Sequence, residues 1–361
     1  MMNRIQNAFA RSDALLALSF TPIMVPLWQT ALSFKGNTAK SLEDTARLFI
    51  QRQGVKADQP VFAFVNLMGT HMPYHPPRSY IEKFAPHVLA DRSARSFLNQ
   101  FNGDVYGWLA PLTGALDEAQ KRTLDGMYDA EVAHQDAMVG QFFEQLRASG
   151  RLDNTLVIIC ADHGEHLGEK QYMGHSLSIY NELIRVPLIV RDPAGRFPTG
   201  SEVEGVVSTR RLFHTVLEAA GIANADEEAL SLSHAVANRS EKDYVFAEAV
   251  PPQNVVNLMQ KRQPQLVQDR GCDRIRRAVW MGQHKLIETE GEVELYDVLE
   301  DPTEDLNLSA IFPENVEVLQ DCLQAFTSRS DAGTVLATSR ASNFEDPEVR
   351  RRLEELGYLE D

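Results

Sequence analysis

Three short, mostly apolar runs in the first 190 residues predict buried β-strands. They cover Val61–Leu67, Thr155–Cys160 and Val186–Val190. Apolar residues recur at helical spacing over Ser41–Gln51 and Tyr128–Ser149, which predicts amphipathic helices between the strands. Strands of this kind that alternate with helices indicate an α/β fold, with a mostly parallel sheet sandwiched by helices.

The pattern changes after a polar stretch at residues 224–240. Short runs beyond it alternate apolar and polar side chains between turns, which predicts a smaller antiparallel sheet. Further helices are predicted at Ser208–Ala220, Val316–Phe326 and Pro347–Leu356. We therefore expect an α/β domain over residues 1–230 and a C-terminal subdomain over residues 231–361, with the small sheet and terminal helices.

The apolar segment Ala14–Trp28 has two interpretations. It follows two arginines and resembles the core of a signal peptide. Against this, Asp13 adjoins the segment and two prolines interrupt it. It is also short for a membrane span, so we expect no stable membrane insertion and favour a packed segment of a larger fold.

The overall charge narrows the classes of partner. The chain has 361 residues, a formal net charge of −16 and a pI near 5.1. This acidity argues against nucleic acid and anionic membranes, which attract clusters of lysine and arginine. A small anionic substrate remains compatible, because a bound metal can outweigh the overall charge locally. No pattern in the sequence indicates an oligomeric state.

Three cysteines, Cys160, Cys272 and Cys322, form an odd, sparse set without a CxxC motif. Such a set is typical of reduced thiols. We expect a cytoplasmic location, with export left open.

Ionisable side chains crowd at the end of the predicted strand Thr155–Cys160. Asp162 and His163 precede Gly164, which permits a sharp turn, so both side chains could face one divalent cation. For this pair taken alone, a capped turn with solvated charges is the commoner outcome.

Three more histidines lie on loops that should flank the same sheet edge. His71 and His75 follow the first predicted strand, and His175 follows a glycine beyond the Asp-His pair. Each alone is more often an ordinary surface or core histidine. Together they indicate a site for an anionic ester, whose oxygens an imidazolium could bind or protonate.

Longer stretches around these residues resemble the sulfatases of the alkaline phosphatase superfamily. They are residues 62–77, 128–190 and 294–308 and the ending at 351–359. The similarity extends from about Asp58 to Tyr358. It implies an alkaline phosphatase-like α/β fold and metal-dependent hydrolysis of a sulfuric ester.

The resemblance also implies a metal site. In this family a divalent metal, usually calcium, is held by two aspartates early in the chain and by an Asp-Asn or Asp-His pair late in it. Asp162 and His163 match the late pair. The Asp-His form is more similar to the arylsulfatase-like and phosphonate monoester hydrolase branch, where manganese is also seen.

Substrate contacts are implied in the same way. His71 is the better match to a histidine of the family's first loop, and His75 is the second. His175 matches a Lys or His that contacts the sulfate or phosphate. We thus expect His71 and His175 to be catalytic, and His71, His75 and His175 to bind substrate.

Other residues of these stretches are expected to be structural. We interpret Glu165, His166 and Glu169 as turn and rim residues. The stretch at residues 294–308 is a family hallmark that should set a strand-to-helix connection through Tyr296, Asp297, Asp301, Pro302 and Asn307.

The chain departs from the family at the nucleophile. The resemblance implies a formylglycine made from the Cys or Ser of C/S-x-P-x-R, yet no such motif occurs in this sequence. The early aspartate pair and the strand before it also lack a counterpart. We therefore expect an N-terminally incomplete catalytic domain, truncated relative to the family, with weak or no turnover.

Two alternatives follow from this departure. The chain could be a non-catalytic remnant that binds anions. It could also be a phosphodiesterase or phosphonate monoester hydrolase of the same superfamily, which the Asp-His pair slightly favours.

Overall fold

A computed structural model describes residues 37–52, 56, 59–103, 112, 114–203, 206–237 and 244–338 of the chain. They form two compact units, the first ending at Asp153 and the second beginning at Asn154. The segments Ala14–Trp28 and Pro347–Leu356 lie outside the described residues. The expected domain boundary near residue 230 stays a prediction.

Helices dominate the described part of the first unit. The longest, predicted from Tyr128, begins ten residues earlier, because Asp117 caps it and forms a reciprocal capping box with Gln120. The helix predicted from Ser41 begins at Thr38, capped by Asn37. The five helices are α1 (Thr38–Gln51), α2 (Arg78–Phe84), α3 (Pro86–Ala90), α4 (Arg92–Gly103) and α5 (Glu118–Ala148).

The loop at residues 68–77 is anchored in the core of this unit. The fully buried ring of Tyr74 stacks on Phe101 of α4, with 5.7 Å between ring centroids. The backbone N–H and C=O of Tyr74 both bond to the side-chain amide of Asn102, at 2.9 and 2.8 Å. The histidine-bearing loop is therefore held by packing and by hydrogen bonds.

The strand predicted at Val61–Leu67 is not formed within the described residues. Its residues alternate between part-buried and exposed, and Phe62 and Phe64 are 70% and 84% exposed, so the predicted burial of this run is not found. No other described segment pairs with it. A strand needs a hydrogen-bonded neighbour as well as the right pattern.

The second unit contains two small ribbons near its start. Strand β1 (Val157–Cys160) pairs with β4 (Leu188–Arg191), and β2 (His166–Leu167) pairs with β3 (Met173–Gly174). Both pairings are antiparallel, so parallel order is not found among the described strands. Apolar runs predict burial of a strand but not the direction of its neighbour, which long-range topology decides.

The predicted antiparallel sheet is confirmed. It has four strands in chain order, and every pairing is antiparallel. Tight turns join the second strand to the third and the third to the fourth, whereas residues 250–275, which include two helices, connect the first strand to the second. The strands are β5 (Val245–Ala249), β6 (Arg276–Met281), β7 (His284–Thr289) and β8 (Glu292–Asp297).

The described part of the second unit also contains seven α-helices. The helix predicted at Ser208–Ala220 begins three residues later, at Arg211, and ends at Ala219. The helix predicted at Val316–Phe326 lies inside a longer helix. They are α6 (Asn181–Ile184), α7 (Arg211–Ala219), α8 (Ala225–Ala229), α9 (Leu232–Ala237), α10 (Gln253–Arg262), α11 (Pro264–Arg270) and α12 (Pro313–Thr338).

The two faces of the four-stranded sheet pack against different segments of the second unit. On one face, Val279 and Leu286 pack under Leu319 and Leu323 of α12. On the other face, Ala278, Trp280 and Ile287 are among the residues that bury Ile179, which lies in the segment after His175. Because alternate side chains of β6 and β7 point to opposite faces, one face packs on α12 and the other on the segment that follows His175.

Candidate functional site

The turn after β1 places a carboxylate and an imidazole, two side chains of types that bind metals, side by side. Asp162 Oδ2 and His163 Nε2 are 3.9 Å apart, and their side chains are 69% and 38% exposed. His163 Nδ1 lies 2.8 Å from the carbonyl oxygen of Gly164. Since a carbonyl only accepts, Nδ1 carries the hydrogen and leaves the lone pair of Nε2 for a ligand.

Gly164 is required at this turn because of a close backbone approach. Its N–H donates to the carbonyl oxygen of Leu183 at 2.7 Å. A Cβ at this position would overlap the carbonyl oxygen of Glu182, the residue before Leu183. Glycine therefore allows helix α6 to contact the turn, and the close approach rather than a left-handed backbone conformation is what requires it.

The ribbon of β2 and β3 returns His175 to the same place. His166 pairs with Gly174, so the next residue emerges beside the start of the ribbon. The imidazole rings of His163 and His175 stack, with 4.2 Å between centroids and 26° between planes. Asp162, His163 and His175 are thus brought together as predicted, although this agreement concerns position only and not role.

Glu165 holds the ring of His175. The carboxylate Oε1 accepts from His175 Nδ1 at 2.7 Å, and the two side chains are 4% and 22% exposed. Burial lowers the pKa of His175, but the hydrogen bond and charge of Glu165, with Asp162, outweigh it, so the net shift of this pKa is upward. Any ligand contact of this ring uses Nε2.

The sequence analysis missed this role of Glu165, which we interpreted as a turn or rim residue. The two residues are ten positions apart, and the strands between them have two residues each. Such short strands leave no measurable periodicity. The only signal was the acidic residue two positions after His163.

His166 is buried rather than a rim residue. It is 1% exposed, and its Nε2 lies 2.6 Å from the hydroxyl of Ser178. Burial lowers its pKa to about 4, against the opposing charges of Glu169 and Glu165. His166 is therefore a neutral core residue at neutral pH.

Glu169 and Lys170 lie in the turn of the ribbon. Glu169 accepts from the N–H of Leu167 at 2.6 Å, as a turn residue does. Lys170 Nζ donates to the carbonyl oxygen of Glu304 at 2.5 Å and sits 4.9 Å from the ring centre of Tyr180. This lysine is thus engaged inside the second unit.

His71 and His75 lie in the first unit, on the anchored loop. His71 Nδ1 is 2.5 Å from the carbonyl oxygen of Met72, and the N–H of His75 donates to Glu131 Oε1 at 2.7 Å. Glu131 itself is 1% exposed. Both histidine rings are part-buried, and their roles stay predictions.

The hallmark stretch forms the expected connection from β8 toward α12. Asn307 Oδ1 accepts from the N–H of Leu295 at 3.1 Å, and Asp301 Oδ2 accepts from the N–H of Leu306 at 2.8 Å. These bonds fold the segment back along the strand it has just left.

Asp162 and His163 fit a divalent cation as two neighbouring ligands. Metal–ligand distances of about 2.0–2.6 Å allow two ligand atoms of one ion to lie 3.9 Å apart. Within the described ranges, no group of three or more His, Cys, Asp or Glu side chains is arranged to hold a metal. The described residues could therefore offer a cation these two neighbouring ligands.

No residue of this sequence fits the precursor of formylglycine. None of the seventeen prolines follows a cysteine or serine at the spacing of C/S-x-P-x-R. Cys160, Cys272 and Cys322 are free thiols.

Known protein structures and sequences resemble this chain over most of its length. Solved structures of a phosphonate monoester hydrolase and of a putative sulfatase share the fold of this chain. A phosphonate monoester hydrolase of Agrobacterium radiobacter matches with a TM-score of 0.56 and 22% identity, over 80% of this chain and 60% of its own. A putative sulfatase of Bacteroides fragilis matches with a TM-score of 0.56 and 19% identity, over 81% and 58%.

The chain belongs to the sulfatase family, whose model matches residues 20–222. An arylsulfatase of Clostridium perfringens is 22% identical over 273 residues, which are 73% of this chain and 53% of the relative. Arylsulfatase K of Bos taurus is 26% identical over 310 residues, 78% and 54%. The chain thus spans about half the length of the curated relatives it matches.

Among the residues that the structure describes, no helix is both long and apolar enough to cross a membrane.

Proposed function

We propose that this chain takes part in metal-dependent hydrolysis of a small sulfuric ester, and that Asp162, His163 and His175 bind the cation and the anionic ester. The observation that carries this proposal is the stacked pair of His163 and His175, each ring with a separate partner for its Nδ1. Membership of the sulfatase family supports the reaction class.

In this proposal the Asp162 carboxylate and His163 Nε2 hold the cation, calcium by preference and manganese as the alternative. When bound, the cation supplies positive charge beside the ester oxygens. His175, oriented by Glu165, donates its Nε2–H to an ester or leaving-group oxygen. We propose His71 and His75 as further contacts to the ester.

Turnover by this chain is expected to be weak, because the sequence offers no formylglycine precursor. The proposal therefore contains no step through that group. Binding of cation and anion is what the described residues support most directly.

The anion contact of His175 has a direct test. Calorimetric titration of the full chain with sodium sulfate in the presence of MnCl2 should show binding to wild type. His175→Ala should weaken it at least about tenfold, because a charge-assisted hydrogen bond contributes about 1.5–3 kcal/mol. His284→Ala, which changes a histidine packed near Phe312, serves as the control.

The same series tells the possible outcomes apart. Loss of sulfate affinity with unchanged Mn²⁺ affinity in His175→Ala supports the assignment. Equal sulfate affinity in wild type, His175→Ala and His284→Ala would contradict it.

A second candidate is hydrolysis of a phosphonate monoester, favoured by histidine rather than asparagine at position 163. Assays with an aryl sulfate and an aryl phosphonate monoester, each with Ca²⁺ or Mn²⁺, distinguish the candidates. Turnover of the phosphonate alone supports the second, and binding without any turnover supports an anion-binding module.

We also propose a reducing, cytoplasmic location, supported by three free thiols among the described residues. Intermolecular disulfides in the protein isolated without reductant from its native cells would contradict this proposal.

A further inference from the structure

We propose that Glu304 is a positioning residue for the Asp162–His163 pair and acts through helix α6 and Gly164. This inference rests on the proposed function, because it concerns the geometry of the same metal pair. Glu304 lies in the hallmark stretch, for which we expected only a structural connection.

Glu304 and Lys285 form a buried ion pair. Both side chains are 0% exposed, and Lys285 Nζ is 2.5 Å from Glu304 Oε1. Lys285 also donates to the carbonyl oxygen of Ile179 at 2.7 Å. Removing two charges from water costs about as much as their attraction returns, so the pair contributes fixed geometry more than stability.

The geometry that this pair fixes is that of helix α6. Glu304 Oε2 accepts from the backbone N–H of Asn181, the first residue of the helix, at 2.6 Å. The side-chain amide of Asn181 donates to the carbonyl oxygen of Pro302 at 2.9 Å. Together with the bond from Lys285 to Ile179, these contacts hold the backbone on both sides of Tyr180.

Helix α6 in turn contacts the metal pair through Gly164. The carbonyl oxygen of Leu183 accepts the N–H of Gly164, and the carbonyl of Glu182 occupies the space of a Cβ. A shift of α6 therefore shifts the residue next to His163.

The backbone of Glu304 adds a second connection to the site. Its carbonyl oxygen accepts from Lys170, in the turn of the ribbon that leads to His175. Glu304 adopts φ of 54°, in the left-handed region that is unfavourable for a residue with a side chain. The surrounding contacts hold it there, with its carboxylate on α6 and its carbonyl on the ribbon.

The test compares two effects of Glu304: its carboxylate oxygen accepts the N–H of Asn181, and its charge pairs with that of Lys285. Lys285→Met/Glu304→Gln removes both charges and keeps an oxygen for the N–H of Asn181. Lys285→Met/Glu304→Leu removes both charges and the oxygen. Glu300→Ala, an exposed change in the same stretch, is the control.

Two measurements are made on each full-length folded variant. Amide hydrogen exchange at Gly164 reports its bond to Leu183 without any metal, and calorimetry with MnCl2 reports the metal pair. We expect Glu300→Ala to stay within about threefold of wild type in both. Both double variants lose the bond from Lys285 to Ile179, so the glutamine variant is the reference for the leucine variant. Relative to it, the leucine variant should exchange at least tenfold faster at Gly164 and bind Mn²⁺ at least fivefold more weakly.

Wild-type exchange at Gly164 in a folded leucine variant would overturn the inference. If wild type binds no Mn²⁺, the proposed function fails. Amide hydrogen exchange at Gly164 still decides whether Glu304 positions the turn, because it needs no metal. Should the leucine variant not fold, Asn181→Pro removes the backbone N–H that Glu304 accepts, at the first helical position, where proline is tolerated. This variant is expected to accelerate exchange at Gly164, and unchanged exchange there would again overturn the inference.

Discussion

At Gly164, the backbone of the turn that carries Asp162 and His163 touches the backbone of helix α6. We expect Gly164→Ala to lower the free energy of unfolding by about 2–3 kcal/mol, because the new Cβ would overlap the carbonyl oxygen of Glu182. Urea unfolding measures the change.

Gly140→Ala is the matched control, since Gly140 lies inside helix α5 with nothing near its Cβ position. Alanine there should stabilise the protein by about 0.5–1 kcal/mol. Equal effects of the two substitutions would show that the contact at Gly164 does not exist in solution.

His166 makes stability depend on pH. Its pKa is lowered from 6.5 to about 4 in the folded chain, so the unfolded chain binds the extra proton first as pH falls. Its contribution is fully present above pH 6.5 and is lost between pH 6.5 and 4, amounting to about 3 kcal/mol.

His166→Gln keeps a hydrogen-bonding group for Ser178 and removes this titration. The unfolding free energy of the variant, measured from pH 7.5 to pH 4, should fall less steeply than that of wild type. Parallel curves for the two proteins would show that His166 is not buried as the neutral form.

Some residues of the candidate site could be predicted from the sequence, and others could not. Asp162, His163 and His175 were found because their types and order match a family pattern. Glu165 and Glu304 were missed as functional residues, since each acts through a partner that only the fold brings near. Neighbours along the chain are visible in a sequence, whereas partners 10 or 123 residues away are not.

Among the elements, helix α12 covers one face of the four-stranded sheet. Leu319 is fully buried there, whereas its neighbour Val318 is 45% exposed. We expect Leu319→Ala to cost about 2–4 kcal/mol of unfolding free energy, because it leaves a cavity against the sheet.

Val318→Ala, measured by the same chemical unfolding, should change stability by no more than about 0.5 kcal/mol. A similar loss for both substitutions would mean that α12 does not dock through the face that contains Leu319.

The elements also differ in how well their pattern predicts them. The sheet of β5 to β8 was predicted because its short strands alternate apolar and polar residues and because tight turns join β6, β7 and β8. The run at residues 61–67 is mostly apolar but has no described partner. Local hairpins carry their pairing in the sequence, and long-range pairings do not.

For the molecule as a whole, the second unit contains the three candidate site residues that the structure brings together, Asp162, His163 and His175. The turn after β1, the ribbon that returns His175 and the hallmark stretch all lie between Asn154 and Ser342. The family and fold class follow from motifs spread along the chain, and the described residues of the second unit explain how its own motifs meet at one turn.

The central claim is that Asp162 and His163 form a cation-binding pair. Calorimetric titration of wild type, His163→Ala and the control His284→Ala with MnCl2 and with CaCl2 tests it most directly. We predict binding of one cation to wild type and to His284→Ala, and loss of that binding in His163→Ala. Equal metal affinity in wild type and His163→Ala would contradict the account.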